Sequence, residues 1–323
     1  MSYRNAGDAL PAGAIAGLAM SRRMFSGAGF CLAALAAWPR GAPAQDMPAS
    51  AAAADLAARS DAGRRLTTEV SIDGAGPYSF IVDTCAERSV IADTVALALG
   101  LAPGRQVTVN GIARQMTAQT ALVHELGFGP FRRRGLSLPV LPRGNLAADG
   151  YLGLDAIIDS RVTFDFKHQR LEIDPSHVYG PLTAGIDATD VETYGSAGRL
   201  RARGVIDGVG VTAFVDTGSE VSVINPPLLA ALKARNPALL ALGVETLSGV
   251  TGGEIVGDII PVERVELQEL RFTRGSVVVA DVRNFDLWRL ADKPALLIGM
   301  DLLRQFAKVA IDYRRREIRF ELG

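Results

Sequence analysis

The chain repeats itself once, and that repeat restricts its fold more than any other feature. Residues 72–84 read Ile-Asp-Gly-Ala-Gly-Pro-Tyr-Ser-Phe-Ile-Val-Asp-Thr, and residues 206–217 read Ile-Asp-Gly-Val-Gly-Val-Thr-Ala-Phe-Val-Asp-Thr. Directly after, Asp83-Thr84-Cys85-Ala86-Glu87-Arg88-Ser89-Val90-Ile91 aligns with Asp216-Thr217-Gly218-Ser219-Glu220-Val221-Ser222-Val223-Ile224, identical at six of nine positions. A second landmark recurs downstream. Tyr151-Leu152-Gly153-Leu154-Asp155 leads into residues 161–166, and Leu297-Ile298-Gly299-Met300-Asp301 leads into residues 308–313. Two copies in the same order at similar spacing argue for two related lobes. They are placed at 66–174 and 199–323, joined by a linker at 175–198 rich in Gly, Thr, Asp and Ser.

The local signals inside each copy are mostly β. Phe80-Ile81-Val82 and Ala213-Phe214-Val215 are short continuous apolar runs suited to buried strands. Residues 161–166 with 170–173, and 308–313 with 317–320, read as two equivalent hairpins. Helical signal is sparse: 93–99 ending at Gly100, 227–234 with proline in its first turn, and 302–306. Many short strands with Gly turns imply a mainly β architecture with few short helices.

Composition excludes several function classes. The 323 residues are 48% hydrophobic and 21% charged, an ordinary globular balance. A net charge of −1 gives no electrostatic reason to expect nucleic acid as a partner. With two cysteines and three separated histidines (His124, His168, His177), neither a disulfide scaffold nor a zinc spacing is present, so no metal and no cofactor are expected. No run of 18 apolar residues exists to span a bilayer.

The N-terminus reads as an address. Arg22-Arg23 precede an apolar run at 27–38, and Ala42-Pro43-Ala44 follows. That order is an export signal over 1–44, and the paired arginines resemble a bacterial twin-arginine signal. Met20 stands just before this signal, which leaves residues 1–19 open to being read as an upstream extension of the frame. Cleavage near Ala44 predicts a periplasmic or secreted protein with no stable membrane insertion, led by a flexible stretch at 45–65.

Each lobe places an aspartate directly after a buried apolar strand, where a carboxylate is costly unless hydrogen-bonded or paired. A pseudo-twofold would set Asp83 and Asp216 face to face. Two like charges that close do not both ionise readily, so the pair holds one proton. One carboxylate can then take a proton from water while the other gives one to a substrate carbonyl.

These motifs resemble the retropepsin-like and pepsin-like aspartic proteases, which use an Asp-Thr-Gly loop from each half and an apolar-apolar-Gly element beside it. The resemblance spans roughly 66–322. It implies a mainly β, two-lobed, double-psi-barrel-like fold and an aspartic endopeptidase acting on a peptide or protein substrate. It further implies Asp83 and Asp216 as the catalytic pair, with Thr84, Cys85, Thr217 and Gly218 supporting it. Substrate-covering hairpins are expected at Asn110 and Gly111 in one lobe and at Val250, Thr251 and Gly252 in the other. Because the lobes are fused, one chain suffices to complete the pair. Cys85 departs from the family's glycine and could crowd the site. Two rival readings follow: a catalytically weakened peptide-binding protein on the same fold, or two independent lobes that each pair with a twin in a dimer.

Overall fold

The apolar runs ahead of Asp83 and Asp216 fold as central strands of two closed barrels. The computed structural model describes residues 55–57, 59–60, 66–176, 188–192 and 199–322, all within the compact unit Ala51–Gly323. The stretch at 1–44, where an export signal and an upstream extension are expected, lies outside the described residues. The first half contributes β1 (Asp55–Ala57), β2 (Arg59–Ser60), β3 (Leu66–Ile72), β4 (Ala75–Val82), β5 (Val90–Ala92), α1 (Asp93–Ala98), β6 (Pro103–Asn110), β7 (Gln115–Phe128), β8 (Phe131–Leu141), β9 (Gly150–Leu152), α2 (Leu154–Ile157), β10 (Ser160–Asp165) and β11 (Arg170–Pro175). The second half contributes β12 (Ala188–Glu192), β13 (Arg201–Ile206), β14 (Val209–Val215), β15 (Val223–Ile224), α3 (Pro226–Arg235), β16 (Gly243–Ser248), β17 (Glu254–Leu267), β18 (Leu270–Val279), α4 (Arg283–Leu287), β19 (Ala295–Ile298), α5 (Met300–Leu303), β20 (Lys308–Asp312) and β21 (Glu317–Glu321).

In the first barrel the order β3-β4-β9-β5-β8-β7 closes through a β7–β3 pairing, and β2 and β6 extend it. In the second, β13-β14-β19-β15-β18-β17 closes through β17–β13, with β16 added outside. The connectivity matches step for step. β4 runs parallel to β9 with Phe80 opposite Gly150, as β14 runs parallel to β19 with Phe214 opposite Leu297. Closure removes the sheet edges that would otherwise seek a partner. The barrels are filled from alternate positions: Phe80, Ile91, Leu126 and Leu138 in the first, Ile206, Ile224, Val265 and Leu296 in the second, all buried.

A third sheet belongs to both halves. Hairpin β10–β11 and hairpin β20–β21 pair through β10 and β20, with Arg161 opposite Asp312 and Asp165 opposite Lys308. Arg161 and Asp312 form a buried ion pair at 3.6 Å. A lone partner of such a pair would leave an uncompensated buried charge, so the two are coupled.

Two stretches read as loop prove to carry strand. Within the expected linker, β12 pairs with β21 and buries Val191. Within the expected leader, β1 pairs with β11 and β2 with β3. Both add to sheet edges, where open backbone N–H and C=O groups recruit an extended segment without needing an apolar pattern. Among the helices, α1 stops before Gly100 at φ +61°, and α3 starts where the Asn225 side chain accepts from the Leu228 N–H. The third begins two residues earlier than its sequence suggests, directly after Gly299. Helices α2 and α4 are too short to show a periodic pattern.

Candidate active site

Asp83 and Asp216 sit at the ends of β4 and β14, held there by the neighbouring parallel strand. The Asp83 N–H donates to the Leu152 carbonyl and the Asp216 N–H to the Ile298 carbonyl, each at 2.9 Å. The loops then turn so that their amides face back. Asp83 Oδ1 accepts from Cys85 N–H and Ala86 N–H, both at 2.9 Å, and Asp216 Oδ1 accepts from Gly218 N–H at 3.0 Å. Asp216 is 8% exposed, and the Gly218 N–H helps to offset the cost of taking its carboxylate out of water.

Thr84 and Thr217 hold the two loops together reciprocally. Thr84 Oγ1 donates to the Val215 carbonyl at 2.7 Å and accepts from Thr217 N–H at 3.1 Å. Thr217 Oγ1 donates to the Val82 carbonyl at 2.6 Å and accepts from Thr84 N–H at 3.2 Å. Both threonines are buried. Valine at either position keeps the shape but strands a buried N–H and weakens the satisfaction of a carbonyl. The expected cost is about 1–3 kcal/mol for each of Thr84→Val and Thr217→Val, read from urea unfolding. Because the bonds form one network, the double variant should lose less than the sum of the singles. Strictly additive losses would mean the four bonds act separately.

The opposing face of the second loop is equally tight. A Cβ placed on Gly218 would lie 2.5 Å from Asp83 Oδ2 and 2.6 Å from its Cγ. Gly218 therefore backs directly onto the carboxylate of the other lobe. Since Gly218 N–H also binds Asp216 Oδ1, one residue touches both aspartates.

Behind each loop lies a brace that the sequence reading assigns no role. Ser89 Oγ donates to Asp155 Oδ1 at 2.7 Å and accepts from Gly153 N–H at 3.0 Å. Ser222 Oγ donates to Asp301 Oδ1 at 2.6 Å and accepts from Gly299 N–H at 3.0 Å. Burial raises the Asp301 carboxyl above its usual range, against the pull of the Ser222 and Leu302 donors. Gly153 and Gly299 must lack side chains, because a Cβ would run into the backbone of Arg88 and of Val221 respectively. The signal for these braces is in the repeat itself: Ser, Gly and Asp recur at matching positions in both copies.

The two expected hairpins meet. Asn110 is exposed at the end of β6, and Gly111 opens the turn into β7. Gly111 faces the Thr251 side chain so closely that any Cβ would collide with it. Thr251 Oγ1 donates to the Arg114 carbonyl at 2.9 Å, and Arg114 Nε donates to the Thr251 carbonyl at 3.0 Å. Gly252 closes the second turn at φ +73°, its N–H on the Gly249 carbonyl, while Val250 packs onto the main core. The first turn reaches further still: the Ile112 carbonyl accepts from Arg283 N–H at the start of α4. Ile112 and Cys85 pack against the same apolar cluster, which includes Phe214, Val282 and Phe285.

Cys85 is accommodated where the other loop has glycine. Its Sγ lies 3.4 Å from the Val215 carbonyl, in donor position. Burial pushes the thiol well above its usual range, and the charges of Asp216 and Asp83 push the same way. The thiol therefore stays protonated and is a poor nucleophile. Tyr313 is buried, and its phenol is raised well above its usual range by that burial and then by the charges of Cys85, Asp83 and Asp216.

A two-lobed barrel protein with an Asp-Thr loop at the end of one strand in each lobe has the form of an aspartic protease. The profile of the aspartyl protease family matches residues 68–156 and 202–302, together more than half of the chain, and the protein belongs to that family. The two matched segments hold the two loops and the two Gly landmarks. A comparison with curated proteins finds no match.

Proposed function

We propose that the protein is an aspartic endopeptidase whose catalytic pair is Asp83 and Asp216. The observation that carries this reading is Gly218, which donates its N–H to one carboxylate while backing onto the other, within loops locked by Thr84 and Thr217. That arrangement supports a water held between two carboxylates that share one proton. The ionised aspartate takes a proton from the water as its oxygen attacks the scissile carbonyl carbon. The protonated aspartate gives its proton to the carbonyl oxygen. In the collapse of the tetrahedral species the aspartate that took the water's proton passes it to the leaving nitrogen, the other aspartate takes one back from a hydroxyl of that species, and the C–N bond breaks to release an amine and a carboxylic acid.

The substrate lies extended beneath the paired hairpin turns at 110–114 and 248–253, bound through backbone hydrogen bonds with side chains alternating between pockets. Opening of the Gly111–Thr251 contact admits it. One chain supplies both loops, and the signal at 1–44 exports the enzyme to the periplasm or beyond. The test is incubation with a mixed peptide library across acidic to neutral pH, with cleavage sites mapped by mass spectrometry. Internal cleavage that survives chelators and thiol-blocking reagents is the expected result. A folded protein that binds the peptides but leaves them whole would favour the weakened, peptide-binding reading instead.

A further inference from the structure

Beside the loops lies a cavity of about 450 Å³ lined by Arg199, Arg201, Phe214, Leu287, Trp288 and Arg289. The strand that delivers Asp216 also supplies its floor, since Phe214 stands two residues earlier on β14. Trp288 packs on Phe214 with ring centroids 4.4 Å apart, and the Arg199 guanidinium sits 5.7 Å from the centre of the Trp288 ring. Arg201 is the cross-strand neighbour of Phe214. Arg289 is exposed at the rim, following α4 at φ +59°. Arg199 is tied to the other lobe by its contact with Glu87 at 2.5 Å, four residues beyond Asp83. Cys85 and Trp288 pack against one apolar cluster, so this cavity adjoins the catalytic loops.

The chemistry of the lining is one-sided. Three guanidinium groups and two aromatic rings surround the space, and among the described residues no carboxylate lines it. Glu87 engages one edge of Arg199 from outside the lining. Guanidinium groups present planar donor pairs that match a carboxylate, and an aromatic floor excludes water from one side of the contact.

We propose that the cavity is a specificity subsite for a peptide carboxylate, so that the protease favours substrates with an acidic side chain, or the chain's own C-terminal carboxylate, near the bond it cuts. This rests on the peptidase reading above and adds the substrate class to it. Favourable charge-assisted contacts here act on substrate capture and raise kcat/KM for acidic peptides over their amide counterparts.

The test uses the full-length protein and pools of short peptides capped at the N-terminus. One series carries Glu or Gln at each position in turn, with an amidated C-terminus. The other holds Gln throughout and compares a free C-terminal acid with its amide. At one position or at the C-terminus, the acid should be cleaved with a kcat/KM about tenfold or more above the amide, and added salt should shrink that ratio. The first series scoring alone assigns a side chain, the second alone a chain terminus. In Arg289→Gln, and further in Arg201→Gln/Arg289→Gln, the acid-to-amide ratio should fall toward one. In Arg289→Glu, Lys at the scoring position should be favoured over Glu. Equal cleavage of acid and amide at every position in the parent protein would overturn the subsite, as would a ratio unmoved in all three variants. If no pool is cleaved, the peptidase reading fails by itself. The subsite is then judged by fluorescence anisotropy of labelled Glu and Gln pools on the parent protein, where equal affinity overturns it.

Discussion

If the proposed peptidase mechanism holds, Asp83→Asn and Asp216→Asn are each expected to lower kcat for peptide hydrolysis by about 10³-fold or more, and the double variant should fall hardly further. The amide is nearly isosteric with the carboxylate. One oxygen still accepts from Cys85 N–H and Ala86 N–H at position 83, or from Gly218 N–H at position 216. The fold should therefore survive, with melting temperatures close to the parent. What the amide cannot do is take a proton from water or hold one for the carbonyl oxygen. Since the water must lose a proton to one carboxylate while the other supplies one, either loss stops the same step. Removing the second group costs little once the first is gone. The pH profile of kcat in the parent should be bell-shaped, because the pair works only while it carries one proton. Two outcomes would sink the assignment. One is a single variant that retains activity. The other is a double variant whose loss is the product of the two single losses, which would mean the aspartates act in separate steps.

The repeat makes the two barrels and their loops legible, because each copy must place equivalent residues in equivalent strands. Phe80-Ile81-Val82 and Ala213-Phe214-Val215 announce β4 and β14, and the aspartates follow them. Three kinds of feature stay hidden. Strand additions at sheet edges, such as β1 on β11 and β12 on β21, are stabilised by backbone pairing and leave little trace in side-chain pattern. The shared sheet is hidden because hairpins 161–173 and 308–320 give no sign that they pair with each other rather than within their own lobes. Contacts between lobes are hidden because they join positions more than a hundred residues apart. The Arg199–Glu87 contact and the Thr251–Arg114 exchange belong to this class. The Ser89–Asp155 and Ser222–Asp301 braces are intermediate. Their residues repeat visibly, but only the β5–β9 and β15–β19 pairings show that each serine reaches its aspartate.

Gly218→Ala and Cys85→Gly are expected to move kcat in opposite directions, although they exchange similar groups at pseudo-symmetric positions. At position 218 a methyl group would lie 2.5 Å from Asp83 Oδ2, with no open space on that side. The backbone there has an ordinary φ, so the penalty arises from contact and not from the loss of glycine's conformational freedom. The cheapest relief is to push the Asp83 carboxylate away, which stretches its bonds from Cys85 N–H and Ala86 N–H. A displacement of about 1 Å at a reacting group can cost 10²-fold in rate, so kcat should fall by about that factor. Stability should fall by about 1–3 kcal/mol as those bonds weaken. At position 85 the chain already accommodates a side chain, whose Sγ lies on the Val215 carbonyl at 3.4 Å. Removing it leaves Val215 bonded to Thr84 Oγ1, so no buried acceptor is orphaned. Glycine adds backbone freedom worth about 0.5–1 kcal/mol against the fold. It also lets the first loop approach Asp216 as closely as Gly218 approaches Asp83, so kcat should hold or rise. The measurement is kcat on one cleaved peptide, with thermal melts of all three proteins under reducing conditions. An unchanged kcat in a folded Gly218→Ala protein would show that the Asp83 carboxylate needs no such close support. A large loss in folded Cys85→Gly would show that the thiol, held protonated over the Val215 carbonyl, is itself part of how this chain sets the geometry of its two loops.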